Sequence, residues 1–310
     1  MTTIGEAARS RARRRPIDVV WLGVAVYATG PVMVAASSVD GPGFSLMRLV
    51  VGVPILWALA LGRPSTSTGD PRRARWWTLV GGISFGLHQL ALMTAVKWTS
   101  VTDVVLMNTL SPVVVTVLAI PLFGERPGAR FRTWGVLAIT GAVVVGWAGS
   151  TGPSGNLIGM GLAALNVVVF SVFFMCSKAA RPHIDVWPFL ARTITIAAAF
   201  VLGFVLLGGT SFPDPTSIDW VLATALAIGP GAIGHFLMTW PLTWVPANLP
   251  PVLRLVQPFL SGGLAWVLLE QPITLAHLLG GAITVIGVGG ALGAWPGSTT
   301  HPSPEREDKP

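Results

Sequence analysis

Charge is what this chain has least of. Only 11% of its 310 residues are Asp, Glu, Lys or Arg, against roughly a quarter in an ordinary soluble domain. That excludes a water-facing globular surface. Cysteine occurs once, at Cys176, so no internal disulfide can form and the redox compartment stays open. There is no H-E-x-x-H, no cysteine pair and no P-loop lysine, so neither a metal site, a cofactor nor ATP drive is visible. Acidic residues are also missing from the middle of every apolar run: all 13 Asp and Glu fall in tails, loops or first and last turns.

What is present is oil, at 52% apolar residues. Segments of about 20 residues, long enough to cross a ~30 Å hydrocarbon core as helices, recur between short polar breaks. Ten can be placed, at 17–37, 43–62, 76–96, 103–123, 133–149, 157–177, 186–207, 220–240, 249–269 and 275–295. They lack the dyad alternation of barrel strands, and lipid offers backbone groups no water, so the expected fold is an all-α integral membrane bundle of ten transmembrane helices. Basic residues before the first span and Ala35 and Ala36 at its end imitate a signal peptide, but the apolar stretch is too long and nine further spans follow.

The net charge of +7 would suggest nucleic acid in a soluble protein; here its placement gives orientation instead. With the N-terminus in the cytosol, 16 of the 20 Lys and Arg fall in cytosolic segments, one (Lys97) lies outside and three lie within spans. That bias makes the span number even, both termini cytosolic and the cytoplasmic (inner) membrane the location. Residues 1–16 read as a basic, solvated and disordered cytosolic tail, and 297–310 as a second. Trp76, Trp77, Trp98, Trp187, Trp220, Trp244 and Trp295 suit interfacial belts.

The chain repeats itself. "LSPVVVTVLAIPLFGERPGARFRTWGVLAITGAVVVGWAG" from residue 110 aligns with "VQPFLSGGLAWVLLEQPITLAHLLGGAITVIGVGGALGAW" from residue 256. Pro112 meets Pro258, Gly135 meets Gly281, Gly141 meets Gly287 and Trp98 meets Trp244, all at an offset of 146. The halves are therefore 17–150 and 151–296. Each has five spans, so the second enters the membrane in the opposite sense, and the repeats are inverted. Inverted repeats are the architecture of alternating access.

With ten spans as five plus five, an arginine early in the second span of each half ("SLMRLVVG" with Arg48, "FLARTITI" with Arg192) and the ending "SPVVVTVLAIPLFGER" before a glycine-rich fifth span, the chain resembles the EamA transporters of the drug/metabolite transporter superfamily. The second half departs from that ending, placing Glu270 and Gln271 where the first has Gly124 and Glu125. The resemblance implies a carrier, more often an exporter, of a small metabolite or drug such as an amino-acid-like or amphipathic solute. It also implies a cavity lined by spans one to four and six to nine, with spans five and ten peripheral and available to a homodimer.

Candidate pathway residues follow from spacing. Asn108, Ser111 and Pro112 share one helix face at i, i+3 and i+4, and Arg254, Gln257 and Pro258 repeat the pattern. Both prolines lie near span centres, where a missing backbone donor breaks the helix and frees a carbonyl. Arg254 sits about one turn from the midplane, either snorkelling to headgroups or, on the favoured reading, lining a water-filled pathway. Arg48 and Arg192, nearer span ends, are snorkelling or interhelical residues, with a gate as the sharper alternative. His88 and Gln89 in one half answer His235 in the other, and Asn166 is a further buried amide; each is either a satisfied interhelical contact or a pathway group. Phe236, Met238 and Trp240 could form an apolar wall beside His235. Carriers driven by protons generally use a buried carboxylate or histidine, so with no mid-span acid only the histidines could serve. The solute and the lipid bilayer are the expected partners, with no nucleic acid.

Two motifs compete with this reading. "GISFG", with Ser84 as would-be nucleophile, matches the nucleophile elbow of a membrane-embedded serine hydrolase, and "GMGLAA" from Gly159 matches a dinucleotide fingerprint. Both chemistries need a strand before a sharp turn, and both matches fall within apolar spans. A passive solute channel is the third possibility.

Overall fold

The computed structural model of the chain describes residues 4–61, 69–123, 129–151, 156–208, 214–243, 250 and 253–291. The expected tail 297–310, and Trp244 and Trp295 of the expected belts, lie outside these described residues. Every described element is helical. In chain order they are α1 (Ile4–Ala36), α2 (Gly41–Leu61), α3 (Pro71–Trp98), α4 (Val101–Met107), α5 (Ser111–Phe123), α6 (Ala129–Thr151), α7 (Leu157–Ala180), α8 (Val186–Leu207), α9 (Ser217–Leu226), α10 (His235–Thr239), α11 (Gln257–Leu269) and α12 (Leu275–Ala291).

Seven helices among the described residues are long and apolar enough to cross a membrane: Asp18–Ala36, Gly41–Leu61, Pro71–Trp98, Val101–Leu122, Leu157–Ala180, Val186–Leu207 and Ser217–Leu242. Shorter apolar helices occupy Thr133–Val145, Arg254–Leu269 and Leu275–Gly290, where sequence placed spans five, nine and ten. α6 itself runs for 23 residues, about 34 Å at 1.5 Å per residue and enough for a ~30 Å core, and the other two adjoin undescribed residues. The N-terminal segment also differs from expectation. α1 begins at Ile4, so residues 4–16 continue the helix instead of forming a disordered tail; the stretch is rich in Ala and Arg, both strong helix formers.

Helix starts follow ordinary capping. Asp70 before Pro71, Ser100 before α4 and Asn156 before α7 each accept a hydrogen bond from the first turn, and Thr216 with Asp219 closes a capping box at α9. The interruptions are more informative. Three-residue 3₁₀ turns at Asn108–Leu110 and Arg254–Val256 separate α4 from α5 and precede α11. In each case the proline that follows, Pro112 or Pro258, removes the N–H that would bond the carbonyl of residue 108 or 254. The freed Asn108 carbonyl accepts from the Ser111 hydroxyl at 2.7 Å. Between α9 and α10 the helix widens into a π-helical stretch, Ala227–Gly234, around Pro230.

Packing is tight where small residues allow it. α6 and α12 pack along their length, because Gly141 and Gly287 lack a side chain: a Cβ would stand 2.5 Å from the Thr284 nitrogen and 2.4 Å from the Ala138 nitrogen respectively. Their outward faces are apolar, with Val143, Trp147, Leu275 and Leu278 exposed, which suits lipid as solvent. At the end of α11, Glu270 takes a left-handed conformation, φ 55°, a position usually held by glycine. The aligned residue of the first half is Gly124. Gln271 beyond it accepts the Val101 N–H at 2.9 Å, fastening the end of α11 to the start of α4.

Candidate functional site

One cavity gathers most of the residues singled out by spacing. Arg48 from α2, His88 and Gln89 from α3, Asn108 from the first 3₁₀ turn, His235 from α10, Arg254 from the second turn and Gln257 from α11 all line it. Its empty space, open mouth and adjoining solvent included, is about 510 Å³.

Each arginine is held by a glutamine. Arg48 Nη1 donates to Gln89 Oε1, and Arg254 Nε donates to Gln257 Oε1 at 3.0 Å. Gln257 in turn donates to the Tyr27 carbonyl at 3.4 Å, and Ser261 to the Ala28 carbonyl at 2.8 Å, anchoring α11 on α1. The guanidinium groups lie over rings: Arg48 is 5.5 Å from the centroid of Phe85, and Arg254 is 4.9 Å from Phe170 and 5.3 Å from Tyr27. Gly231 leaves Arg48 room, since a Cβ there would stand 3.0 Å from Nη2.

The histidines are tethered as well. Tyr27 Oη and His235 Nδ1 are 2.5 Å apart, so with the phenol donating, the His235 proton sits on Nε2. His88 Nδ1 donates to Asn166 Oδ1 at 2.5 Å, and Asn166 Nδ2 donates to Asn108 Oδ1 at 2.8 Å. Asn166 thus stands behind the wall, relaying the position of His88 to the helix break. His235 is ringed by Tyr27, Phe85, Phe170 and Phe173, with centroids 4.8–6.2 Å away.

Six candidates fall elsewhere. Ser111 is buried against its own backbone and outside the lining. Trp240 lies 6.3 Å from Phe236, which stacks on Trp187, and Met238 is fully buried in the core; the wall beside His235 comes from other helices. Arg192, like Arg48 an arginine early in the second span of its half, is exposed. Pro112 and Pro258 are buried beside the breaks without lining the cavity. Ser84 lies inside α3, with no strand or turn before it, and Gly159 lies in the first turn of α7, where a Cβ would stand 3.1 Å from the Trp98 Cβ.

A second polar cluster, at one end of the bundle, was not anticipated. Asp219 accepts from Ser37 Oγ at 2.8 Å, Ser38 N at 2.8 Å, Ser38 Oγ at 2.7 Å, Thr216 N at 2.9 Å and Thr216 Oγ1 at 2.7 Å. Lys97 donates to the Ser37 carbonyl. Nearby in the chain, Asp103 accepts from Ser100 Oγ at 2.6 Å and pairs with His277 Nε2 at 2.9 Å. His277 Nδ1 accepts the Thr274 N–H at 3.0 Å, which places the ring proton on Nε2, toward Asp103.

Residues 18–147 and 157–293 match the EamA-like transporter family. An uncharacterized transporter, YetK, of Bacillus subtilis (strain 168) is 23% identical over 78% of this chain and 74% of its own length. An uncharacterized transporter of Archaeoglobus fulgidus is 25% identical over 86% of this chain and 92% of its own. A solved crystal structure superposes with a TM-score of 0.63 at 18% identity, covering 90% of this chain and 96% of that one, a likeness of fold alone. The match over both segments, on an all-helical apolar bundle, is decisive: the chain belongs to the EamA-like transporter family of the drug/metabolite transporter superfamily, a family of transporters and not of enzymes.

Proposed function

We propose that this protein exports a small metabolite or drug across the cytoplasmic membrane by alternating access, with the cavity between Arg48 and Arg254 as its solute site. The observation that carries this is convergence: seven polar side chains from six helical segments meet in one cavity, two of them at the 3₁₀ breaks. A break beside a binding site lets the two ends of a span move separately.

Two inverted five-helix halves supply the moving parts. In support, the breaks at 108–110 and 254–256, and the helices α5 and α11 after them, recur at the 146-residue offset of the sequence alignment. Packing is also reciprocal: α3 on α7 is answered by the π-helical stretch and α10 on α1, and α5 on α7 by α11 on α1. Both termini then face the cytosol, and the Asp219 and Asp103 cluster closes the outer end. α6 and α12 stand at the periphery, where lipid or the second copy of a homodimer would cover them.

The test uses the scarcity of cysteine. In a Cys176→Ala background, Asn108→Cys should react with a membrane-impermeant thiol reagent from the cytosolic side in inside-out vesicles and from the outer side in right-side-out vesicles. Labelling from one side only would overturn alternating access. Flux that neither saturates nor shows counterflow would make the protein a channel. Reporter fusions after Arg75 and after Ser154 should give opposite signals; agreement would break the ten-span topology.

A further inference from the structure

The cavity holds two guanidinium cations and, among the described residues that line it, no carboxylate. Its other polar groups are amides, imidazoles and a phenol, and these are engaged with one another. Each arginine receives one side-chain acceptor, and that acceptor is an amide. Arg48 Nε and Arg254 Nη1 are sealed from solvent with no hydrogen-bond partner at all, and Arg48 is only 3% exposed. Buried cations are ordinarily paired, and buried donors are ordinarily satisfied. Here both rules are broken twice in one place.

We propose that the solute is a small organic anion: a carboxylate, carried on an apolar or aromatic body, held between Arg48 and Arg254. This rests on the cavity being the solute site. The stacked rings cover the faces of the guanidinium groups and leave their edges, and the edge is where a carboxylate binds in two parallel hydrogen bonds. A cationic solute would meet two like charges. An uncharged one would leave both cations unneutralised. The apolar part of the solute has its own surface in Val34, Leu92, Met93, Phe170 and Leu226.

The glutamines explain how the site stays open. Glutamate at position 89 or 257 would orient its arginine equally well, but it would also neutralise it, and the cavity would be self-satisfied. Gln89 and Gln257 hold the guanidinium groups in place and leave their charge for the solute.

Three probes of one shape separate the possibilities: phenylacetate, phenylacetamide and phenethylamine, with inorganic phosphate as a fourth. Purified full-length protein in lipid nanodiscs is titrated with each, by calorimetry and by thermal shift. Phenylacetate should bind about tenfold or more tightly than the amide or the amine, the ratio expected when a charge-assisted hydrogen bond is lost. Arg48→Gln and Arg254→Gln should narrow that gap. Gln257→Glu, which supplies an internal carboxylate of nearly the same shape and gives up only the long 3.4 Å hydrogen bond to the Tyr27 carbonyl, should abolish acid binding while remaining folded. That variant keeps the test valid if an arginine variant fails to fold. Amide or amine binding equal to the acid, an acid affinity indifferent to Gln257→Glu, or no acid binding would each overturn the proposal. Phosphate binding tighter than phenylacetate would overturn the carboxylate assignment. Flux in liposomes is measured separately. An acid that binds but is not moved removes the transport reading and leaves this one, whereas a transported amide with the acid ignored does the reverse.

Discussion

The two polar regions of this bundle are built on opposite terms. At the end where α1 hands over to α2, Asp219 is 1% exposed and is met by five donors. In the cavity, Arg48, 3% exposed, and the half-buried Arg254 are met by one glutamine oxygen each, and each keeps a buried donor with no partner. A buried charge with a full set of hydrogen bonds contributes to holding helices in place. One left short costs stability, and its retention points to something the protein must bind. The difference separates scaffold from site more sharply than burial does, since both regions are buried.

The comparison breaks first at Asp219. Asp219→Ala strands the Ser38 N–H and four other hydroxyl or amide donors, and is expected to destabilise the protein by about 3 kcal/mol. A fall in thermal unfolding temperature checks it; an unchanged temperature would mean that water replaces the carboxylate and that the cluster holds nothing. The cavity should respond with the opposite sign. Arg48→Met combined with Gln89→Leu removes both partners at once, so the double variant is expected to unfold no earlier than wild type and to lose flux of the acid probe. Asp103→Asn keeps an acceptor but weakens the bond to His277, an expected loss of about 1 kcal/mol. His88→Gln and His235→Gln sharpen the question of drive. With both rings tethered to neutral partners, an imposed pH step in liposomes is expected to drive no uphill accumulation in wild type; accumulation lost in either variant would make that histidine the proton site. Smallest is Arg192→Gln, expected to change stability by no more than about 0.5 kcal/mol, with flux unaltered.

Much of the site was legible. Spacing put Asn108 beside Pro112, and Gln257 beside Arg254 and Pro258, on shared faces, and internal alignment matched Gln89 with His235; the cavity wall includes all of these except the prolines. Arg48 and Arg192, each early in the second span of its half, are 144 residues apart, two short of the repeat offset, so they need not share a facing, and only Arg48 lines the cavity. The aromatic wall was not legible at all. Tyr27, Phe85, Phe170 and Phe173 have the spacing of ordinary core, and His235 meets Tyr27 across 208 residues of chain. Asp219 was equally silent: as the third residue of a capping box it had a sufficient local explanation, which hid its long-range partners. Hydropathy alone did not show where hydrogen bonding lapses, at the 3₁₀ turns Asn108–Leu110 and Arg254–Val256, because it records composition.

The π-helical stretch from Ala227 to Gly234 bears on how the chain tolerates changes in length. An α-helix turns about 100° per residue, and a widened segment stores the phase of an extra one. Deleting a single residue there would let the wide turns tighten to α and take up the loss, so His235 would keep roughly its facing toward Tyr27, whereas the same deletion within α2 or α3 would turn everything beyond it by about 100°. What this segment contributes is therefore slack in length. Its glycines are fixed where space is short: a Cβ would stand 3.0 Å from Arg48 Nη2 at Gly231 and 2.8 Å from the Tyr27 ring at Gly234, while Gly229 has open space.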